Sequence, residues 1–229
     1  MNTGKPLVNF ESYIPKILKE FGNNKMRISS NAKSQLNSFI NCLAAYIAEK
    51  ASFITNSSMT NSSAQIEQQN AKKNHTITLQ NITSTCQIVL GPILSNYGTA
   101  NAKKAINSYI RNKSSGTKLE KISRNKKAKL NISISKTETI LRMYHCGNIA
   151  EVAPIYLAAT LEYIIAEIVE LSLNRARDSG RSTISSRDLF VAIKNDSDLD
   201  SLIKRTNWSI VGGGVLQHIH MQLLPKKKK

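Results

Sequence analysis

Residues 152–178 constrain the fold of this chain more than any other segment. Their apolar side chains recur every three or four positions, which predicts one long helix with an apolar stripe. Glu162, Glu167 and Glu170 lie on the same helix, although the whole chain of 229 residues has a formal net charge of +17. The segment is therefore an acidic, apolar-striped helix in a strongly basic protein, and its stripe has to be buried against another surface.

The basic composition indicates the kind of partner. The chain has 32 Lys and Arg against 15 Asp and Glu. This surplus indicates a polyanionic partner, namely DNA, RNA or an anionic membrane. The alternative is a basic protein whose charge serves only its solubility. The most apolar window contains three glutamates and cannot span a bilayer, and residues 1–10 lack the apolar core of a signal peptide. We therefore expect a nucleic-acid partner, no membrane partner and no secretion.

The sequence does not predict a metal, a cofactor or a disulfide framework. Cys42, Cys86 and Cys146 are far apart and have no CxxC spacing, so we expect free thiols in a reducing compartment. The histidines lack the spacing of a zinc site. Gly212–Gly214 lacks the preceding strand and the following Lys-Ser/Thr of a phosphate-binding loop.

The chain reads as two similar halves, each with a short helix, a β-like triplet or turn, a long helix, a second triplet and a further helix. In the first half the triplets are residues 27–29 and 76–78, and the long helix is predicted over about residues 31–54. In the second half residues 183–185 follow the long helix. Ser185 and Asp188 have the spacing of a capping box at the start of the next helix.

The domain boundaries follow from composition. Residues 1–111 form the first predicted domain, with an Asn/Ser/Gln-rich inserted loop at about 55–74 and a last helix at about 99–110. Residues 112–129 are rich in Lys, Ser and Gly and are predicted to be a basic linker. Residues 130–229 form the second domain, which ends in a basic tail.

The second half resembles histone 2A. The matching segments occur in family order and include Ala153-Pro154-Ile155-Tyr156-Leu157-Ala158-Ala159, Leu161-Glu162-Tyr163, Ala192-Ile193-Lys194-Asn195-Asp196 and Leu223-Leu224-Pro225-Lys226-Lys227. The first half resembles histone 2B less closely, through Ile28-Ser29-Ser30-Asn31-Ala32-Lys33 and the triplet Thr76-Ile77-Thr78. A histone 2B-like fold fused to a histone 2A-like fold in this order resembles the histone doublets of giant DNA viruses, in which a companion doublet supplies the counterparts of histones 3 and 4.

The resemblance implies an all-α fold, with two histone folds in one chain that form an intramolecular handshake pair with short paired loop strands. Residues 27–29 would lie beside 183–185, and 76–78 beside the turn near 148–149. Fusion would hold the two folds at an effective concentration on the order of millimolar. The implied partners are double-stranded DNA, the companion doublet and a second copy of the chain in an octamer-like particle. The implied location is the virion, the viral factory or the nucleus of an infected cell.

The resemblance and the basic residues together give the DNA-binding candidates. They are Lys25, Arg27, Ser29, Ser30, Arg181 and Thr183 at one pair of loops, Lys72, Lys73, His75 and Thr76 at the other, and Lys136, Arg142, Lys16 and Lys19 on the short helices. Binding would neutralise phosphates without reading bases. Asn74, Thr183 and Glu151 lie at or near positions where the family has Arg, so we expect weaker DNA wrapping than in eukaryotic nucleosomes.

The carboxylates form a second candidate site. Glu162, Glu167 and Glu170 fall within an arc of about 140° on the helix, which predicts one exposed acidic face. Asp196 and Asp198 match the rest of the family's acidic patch, whereas Ile93 and Ala100 lie near first-half positions where Glu is expected. The face would bind basic peptides or neighbouring particles; the alternative is a merely solvated helix face. Catalysis would require a desolvated pocket with a nucleophile or cofactor, so we expect no enzyme.

A third candidate site lies near the C-terminus. Trp208, Ile210, Val215, Leu216 and Ile219 resemble the histone 2A docking segment, which would lie against the companion pair. Two other functions remain open at this point. A histone-fold transcription or architectural factor should carry base-reading elements, and none is evident. A basic helical RNA-binding protein would have no reason to carry the second-half segments.

Overall fold

The computed structural model describes residues 7–21, 26–60, 75–114 and 122–214. The first half contains α1 (Ile14–Glu20), β1 (Arg27–Ile28), α2 (Ser30–Thr60), β2 (Thr76–Ile77), α3 (Leu79–Leu90) and α4 (Pro92–Ser114). The second half contains α5 (Arg124–Ala128), α6 (Ile134–Tyr144), β3 (Asn148–Ile149), α7 (Ala153–Asp178), β4 (Thr183–Ile184), α8 (Ser186–Asn195) and α9 (Ser197–Thr206). The protein is all-α with short strands, as the sequence predicts.

The strands join the two halves crosswise. β1 pairs in parallel with β4, with Arg27 opposite Thr183 and Ile28 opposite Ile184. β2 pairs in parallel with β3, with Thr76 opposite Asn148 and Ile77 opposite Ile149. Each two-stranded sheet therefore takes one strand from each half, which confirms the predicted neighbours of residues 27–29 and 76–78.

The long helices α2 and α7 share one core. The apolar stripe of α2, which includes Leu36, Leu43 and Ile47, is buried in the same cluster as the α7 residues Leu157 and Ile164. α7 also packs against α1, α4, α6 and α8, so most of its length is covered. The stripe is thus buried mainly by α4 of the first half together with α8 and α6 of its own half, and the predicted partner α2 contributes a smaller contact.

α2 is longer than the sequence predicts. The helix continues to Thr60, whereas the polar composition predicts a loop from about residue 55. The Thr55 hydroxyl donates to the carbonyl of Ala51 at 2.7 Å and accepts from the Asn81 side chain of α3 at 2.8 Å. These polar contacts hold the last turns of α2 against α3. Residues 61–74, the rest of the predicted loop, lie outside the described residues.

Part of the predicted linker is helical. α4 begins at Pro92 instead of about residue 99 and runs into the segment to Ser114, and α5 lies entirely within it. The Asn112 side chain donates to the carbonyl of Lys127 at 2.8 Å, and Ala128 is buried. The segment has too few apolar residues for a helical period, and its order comes from polar contacts with α4.

We predict that Leu43→Ala lowers the free energy of unfolding by about 2–5 kcal/mol, because it leaves a cavity in the core that both halves share. Leu79→Ala is the matched control. Leu79 is 36% exposed at the start of α3, so its truncation should cost no more than about 0.5 kcal/mol. Urea unfolding followed by circular dichroism measures both. Equal losses for the two variants would contradict a shared core at Leu43.

Candidate nucleic-acid interface and acidic cluster

The β1–β4 pair forms one basic ledge. The Arg27 N–H donates to the carbonyl of Ser182 and the Ser29 N–H to that of Ile184, both at 2.9 Å. The Ser29 hydroxyl accepts from the N–H of Ala32 and caps α2, so this predicted DNA contact has a structural role. The side chains of Arg27, Ser30 and Thr183 are exposed, so phosphate can reach them.

Arg181 belongs to the same ledge but is held by a buried carboxylate. Its guanidinium lies 2.5 Å from Asp188, which is 1% exposed. Asp188 also accepts from the N–H and the hydroxyl of Ser185, which completes the predicted capping box of α8. Arg181 therefore neutralises the buried carboxylate of Asp188. Its side chain is still 44% exposed to solvent.

The β2–β3 pair forms the second ledge, fixed by the buried side chain of His145. The Nε2 atom of His145 lies 2.7 Å from the carbonyl of His75, and its Nδ1 lies 3.1 Å from the Ser52 hydroxyl. A carbonyl only accepts, so Nε2 carries the proton and the hydroxyl donates to Nδ1 in the neutral ring. At Gly147 an added Cβ would lie 2.0 Å from the His75 carbonyl oxygen, so only glycine fits. Thr76 is exposed on this ledge.

Three predicted DNA contacts, Lys25, Lys72 and Lys73, lie outside the described residues. Lys16 and Lys19 are exposed on α1. Lys136 is already engaged: its Nζ donates to the carbonyl of Asn9 and lies 4.9 Å from the centroid of the Tyr13 ring. Lys136 is predicted to contact DNA, whereas in the structure it holds the N-terminal segment against α6.

A chain of ion pairs connects α4, α5, α6 and the turn after β3, and we name Lys113, Arg124, Glu138, Arg142 and Glu151 the ion-pair network. Glu138 lies 2.7 Å from Arg124 and 2.8 Å from Arg142. Glu151 lies 2.6 Å from Lys113 and accepts from the Tyr109 hydroxyl at 2.5 Å. Hydrogen bonds from these donors hold the pKa of both carboxyls below their usual range.

The network contains residues that no sequence pattern singles out. Arg142 and Glu151 are named from the resemblance, but Lys113 and Arg124 lie in the segment predicted to be a linker. The i,i+4 spacing of Glu138 and Arg142 is the only local signal of the network. Lys126 and Lys129, also missed, are exposed on and just after α5, and no ion pair of either is found in the part of the chain that the structure describes.

The acidic cluster consists of Glu167, Glu170 and Asp196. Glu170 lies three residues after Glu167 on α7, so the two share a helix face. Burial raises the pKa of Glu167, and the neighbouring charges of Glu170 and Asp196 raise it further. Asp196 also caps α9 by accepting from the N–H groups of Asp198 and Leu199 at 3.0 and 2.8 Å. Three of the five residues of the predicted acidic patch therefore belong to the acidic cluster. A fourth, Asp198, follows Asp196 by two residues and is partly exposed.

Two tyrosines border the acidic cluster. The rings of Tyr97, on α4, and Tyr163 stack with centroids 6.1 Å apart, and Tyr97 is 62% exposed. Burial and the charge of Glu167 raise the pKa of Tyr163 to about 12. The first half therefore contributes an aromatic side chain here instead of a carboxylate.

Glu162 is not part of an exposed acidic face, which corrects the prediction. It is 9% exposed and accepts from the N–H groups of Asn131 and Ile132 at 2.7 and 2.8 Å. Burial raises its pKa, although those N–H groups oppose the shift. Angular position on the helix does not reveal that the segment before α6 crosses α7 at this point.

The described part of the docking segment packs on its own chain. The Trp208 ring lies 5.0 Å from the Phe39 ring of α2, and its Nε1 donates to the Ser38 hydroxyl at 3.2 Å. Ile210 is partly buried against the same core. Val215, Leu216 and Ile219 lie outside the described residues, so docking to a companion stays a prediction.

Other kinds of site find little support in the described residues. None of the described helices is long and apolar enough to cross a membrane. In the described ranges no group of three or more His, Cys, Asp or Glu is placed to hold a metal ion. Cys42, Cys86 and Cys146 are free thiols, as expected, and burial raises the pKa of Cys86 to about 12.

The helical architecture and the short paired strands define an all-α protein of the histone-fold class. Residues 198–229 match the family model for the C-terminus of histone 2A. A histone 2A of Lodderomyces elongisporus is 43% identical over 106 residues, which are 46% of this chain and 81% of that relative. The histone 2A of Kluyveromyces lactis is 44% identical over 46% of this chain and 80% of the relative, and a histone 2A of Saccharomyces cerevisiae is 44% identical over 46% and 79%.

The chain belongs to the histone 2A family. The similarity to these relatives covers just under half of its length, and the family model lies at the C-terminal end. As a member of this family it is a structural protein and not an enzyme, as the sequence predicts.

We predict that Glu167→Gln stabilises the protein at pH 7 and not at pH 3. The folded pKa of Glu167 lies above its unfolded value, so at low pH both states are protonated and no penalty exists. As the pH rises through the unfolded and then the folded pKa, the ionised carboxylate disfavours the folded state, and Gln removes that cost. Glu49→Gln, on the exposed face of α2, is the control. Thermal unfolding at both pH values measures the effect; equal shifts at pH 3 and 7 would contradict it.

Proposed function

We propose that the chain is a structural core histone doublet that wraps and compacts DNA independently of sequence. Its second half is the histone 2A part, and its first half acts as the histone 2B part. With a companion doublet that supplies histone 3- and histone 4-like folds, two copies would build a nucleosome-like particle. The family membership of the second half supports the structural role, and the doublet is our extension of it.

The crosswise pairing of the two halves carries this proposal. Each half presents a long helix between two short strands, and each strand finds its partner in the other half. Because α2 and α7 bury their apolar stripes in one cluster, the first half takes the place that a separate histone partner would occupy. A fused partner of this kind is always present at one copy per chain, which fixes the stoichiometry of the pair.

The exposed cations support a DNA ligand. Arg27 on the β1–β4 ledge, Lys16 and Lys19 on α1, and Lys126 and Lys129 at α5 are all exposed. Strand pairing holds each ledge rigid, so phosphate contacts there lose little conformational entropy. Binding of this type follows the DNA backbone and depends on salt, and it does not require base contacts.

Exposed apolar side chains support a protein partner. Phe53 on α2 is 67% exposed and Ile88 on α3 is 70% exposed, and α2 packs against α3. Exposed apolar side chains of this size are of the kind that a protein partner covers. We assign these two side chains to contacts with the companion doublet. The viral setting, with the protein in the virion and the viral factory or host nucleus, follows from the resemblance to fused doublets.

Nuclease digestion of DNA assembled with the whole chain tests the proposal. With the companion doublet we expect protected fragments of discrete length, and without it little or no protection. A continuous smear under both conditions would contradict the proposal. Protection of one specific sequence only would instead support a histone-fold transcription factor, and equal or tighter binding to RNA would support an RNA-binding protein.

We predict that Arg27→Gln weakens binding to all DNA sequences equally and reduces the slope of log K against log salt by about 1, because one phosphate contact is lost. Lys50→Gln is the matched control. Lys50 is exposed on α2, outside both strand pairs, and lies over the Tyr46 ring, so its loss should leave the slope unchanged. Fluorescence anisotropy over a salt series measures both variants. Identical slopes for them would argue against the β1–β4 ledge as a phosphate contact.

A further inference from the structure

The segment that runs from α4 to the turn after β3 is strongly basic. In the described residues between 92 and 152, Glu138 and Glu151 are the only carboxylates. The same ranges contain Arg111, Lys113, Arg124, Lys126, Lys127, Lys129, Lys136 and Arg142, together with two lysines of mid-α4. A surface of this composition attracts phosphate unless its cations are already occupied.

The two carboxylates occupy three of these cations. Glu151 binds Lys113 through both carboxylate oxygens, at 2.6 and 2.9 Å. Glu138 lies between Arg124 and Arg142 and binds one guanidinium with each oxygen. Arg124 also donates to the backbone carbonyl of Glu151 at 3.3 Å, which joins the two ion-pair groups into one network.

The ion pairs lie at the surface. The side chains of Lys113 and Glu151 are 54% and 50% exposed, and that of Arg142 is 60% exposed. Exposed ion pairs contribute little to folding stability because water screens them and long side chains lose entropy. Their main effect is on the surface potential, since each carboxylate cancels a positive charge within hydrogen-bond distance of it.

The position of Glu151 connects this network to the ledge. It follows β3 by two residues, and β3 pairs with β2, where Thr76 is exposed. A small cleft lined by Arg124, Glu138, Ile149, Ala150, Glu151 and Pro154 opens beside it. DNA that follows the ledge would therefore meet carboxylates at the point where the neighbouring side chains are cationic.

We propose that Glu138 and Glu151 limit the DNA affinity of this chain by holding Lys113, Arg124 and Arg142 away from phosphate. The inference rests on the proposed function and deepens it. A phosphate that reaches this surface has to displace a carboxylate from its cation, and the carboxylate then lies unpaired beside the DNA. The network thus makes the DNA affinity of this part of the chain lower than its cations alone would give.

The test uses the whole chain and a DNA duplex of fixed length over a series of salt concentrations. Glu151→Gln and Glu138→Gln keep the shape of the side chain and remove its charge. We expect each variant to bind about 5- to 10-fold tighter at 0.1 M salt. The slope of log K against log salt should be steeper by about 1 for Glu151→Gln, which frees Lys113, and by about 1 to 2 for Glu138→Gln, which frees Arg124 and Arg142. Glu49→Gln removes the same charge from an exposed residue outside the network and should leave the slope unchanged.

The outcomes separate the two proposals. If the wild-type chain does not bind DNA with a salt-dependent affinity, the proposed function fails. If it binds but the slopes of Glu151→Gln and Glu138→Gln equal that of Glu49→Gln, the inference about the carboxylates fails alone. Circular dichroism and thermal unfolding accompany each titration. Loss of the helical signal in both variants would show that the carboxylates serve the fold and would also overturn the inference.

Discussion

The rest of this structure depends on one apolar core that both halves share. Neither α2 nor α7 could keep its apolar stripe in water, and α7 is covered mainly by α4 of the first half and α8 of its own half. Once the two helices share a core, the segments that flank them meet in pairs, and the parallel strand pairs β1–β4 and β2–β3 follow. The ledges exist because the two halves share this core, so the basic surface is a consequence of the apolar one.

Much of the positive charge is used inside the chain. Arg181 neutralises the buried Asp188, Lys136 holds the N-terminal segment, and the ion-pair network occupies three further cations. The count of 32 Lys and Arg therefore overstates the number of cations that are available to DNA, whereas the net charge of +17 already subtracts the carboxylates. Carboxylates that resemble one another in sequence also have different roles: Glu162 is a buried acceptor of backbone N–H groups, whereas Glu167, Glu170 and Asp196 form a repelling cluster.

Sequence patterns predict those features of this structure that depend on residues close together in the chain. The period of α7 and the capping box of Ser185 and Asp188 could be found in the sequence, because each depends on residues a few positions apart. The triplets could be found too, but their pairing came from the resemblance, since each strand pairs with a distant one. The end of α2, the helix α5, the burial of Glu162 and the partners of Lys136 could not. Each of these depends on a contact with a distant segment, such as Asn81 with Thr55 or Asn131 with Glu162. A polar side chain in the sequence does not indicate whether it will meet water or a backbone group.

Disulfide trapping tests the crosswise pairing most directly. In a chain whose native cysteines are replaced, cysteines are introduced at the paired positions Arg27 and Thr183, or Thr76 and Asn148, and also at the swapped positions Arg27 and Asn148. Paired strands lie about 4.8 Å apart, which is within the Cα separation that a disulfide accepts. Crosswise pairing predicts rapid intramolecular disulfides in both paired variants and none in the swapped one. A swapped pair that forms its disulfide as readily, or paired positions that link only between chains, would contradict it.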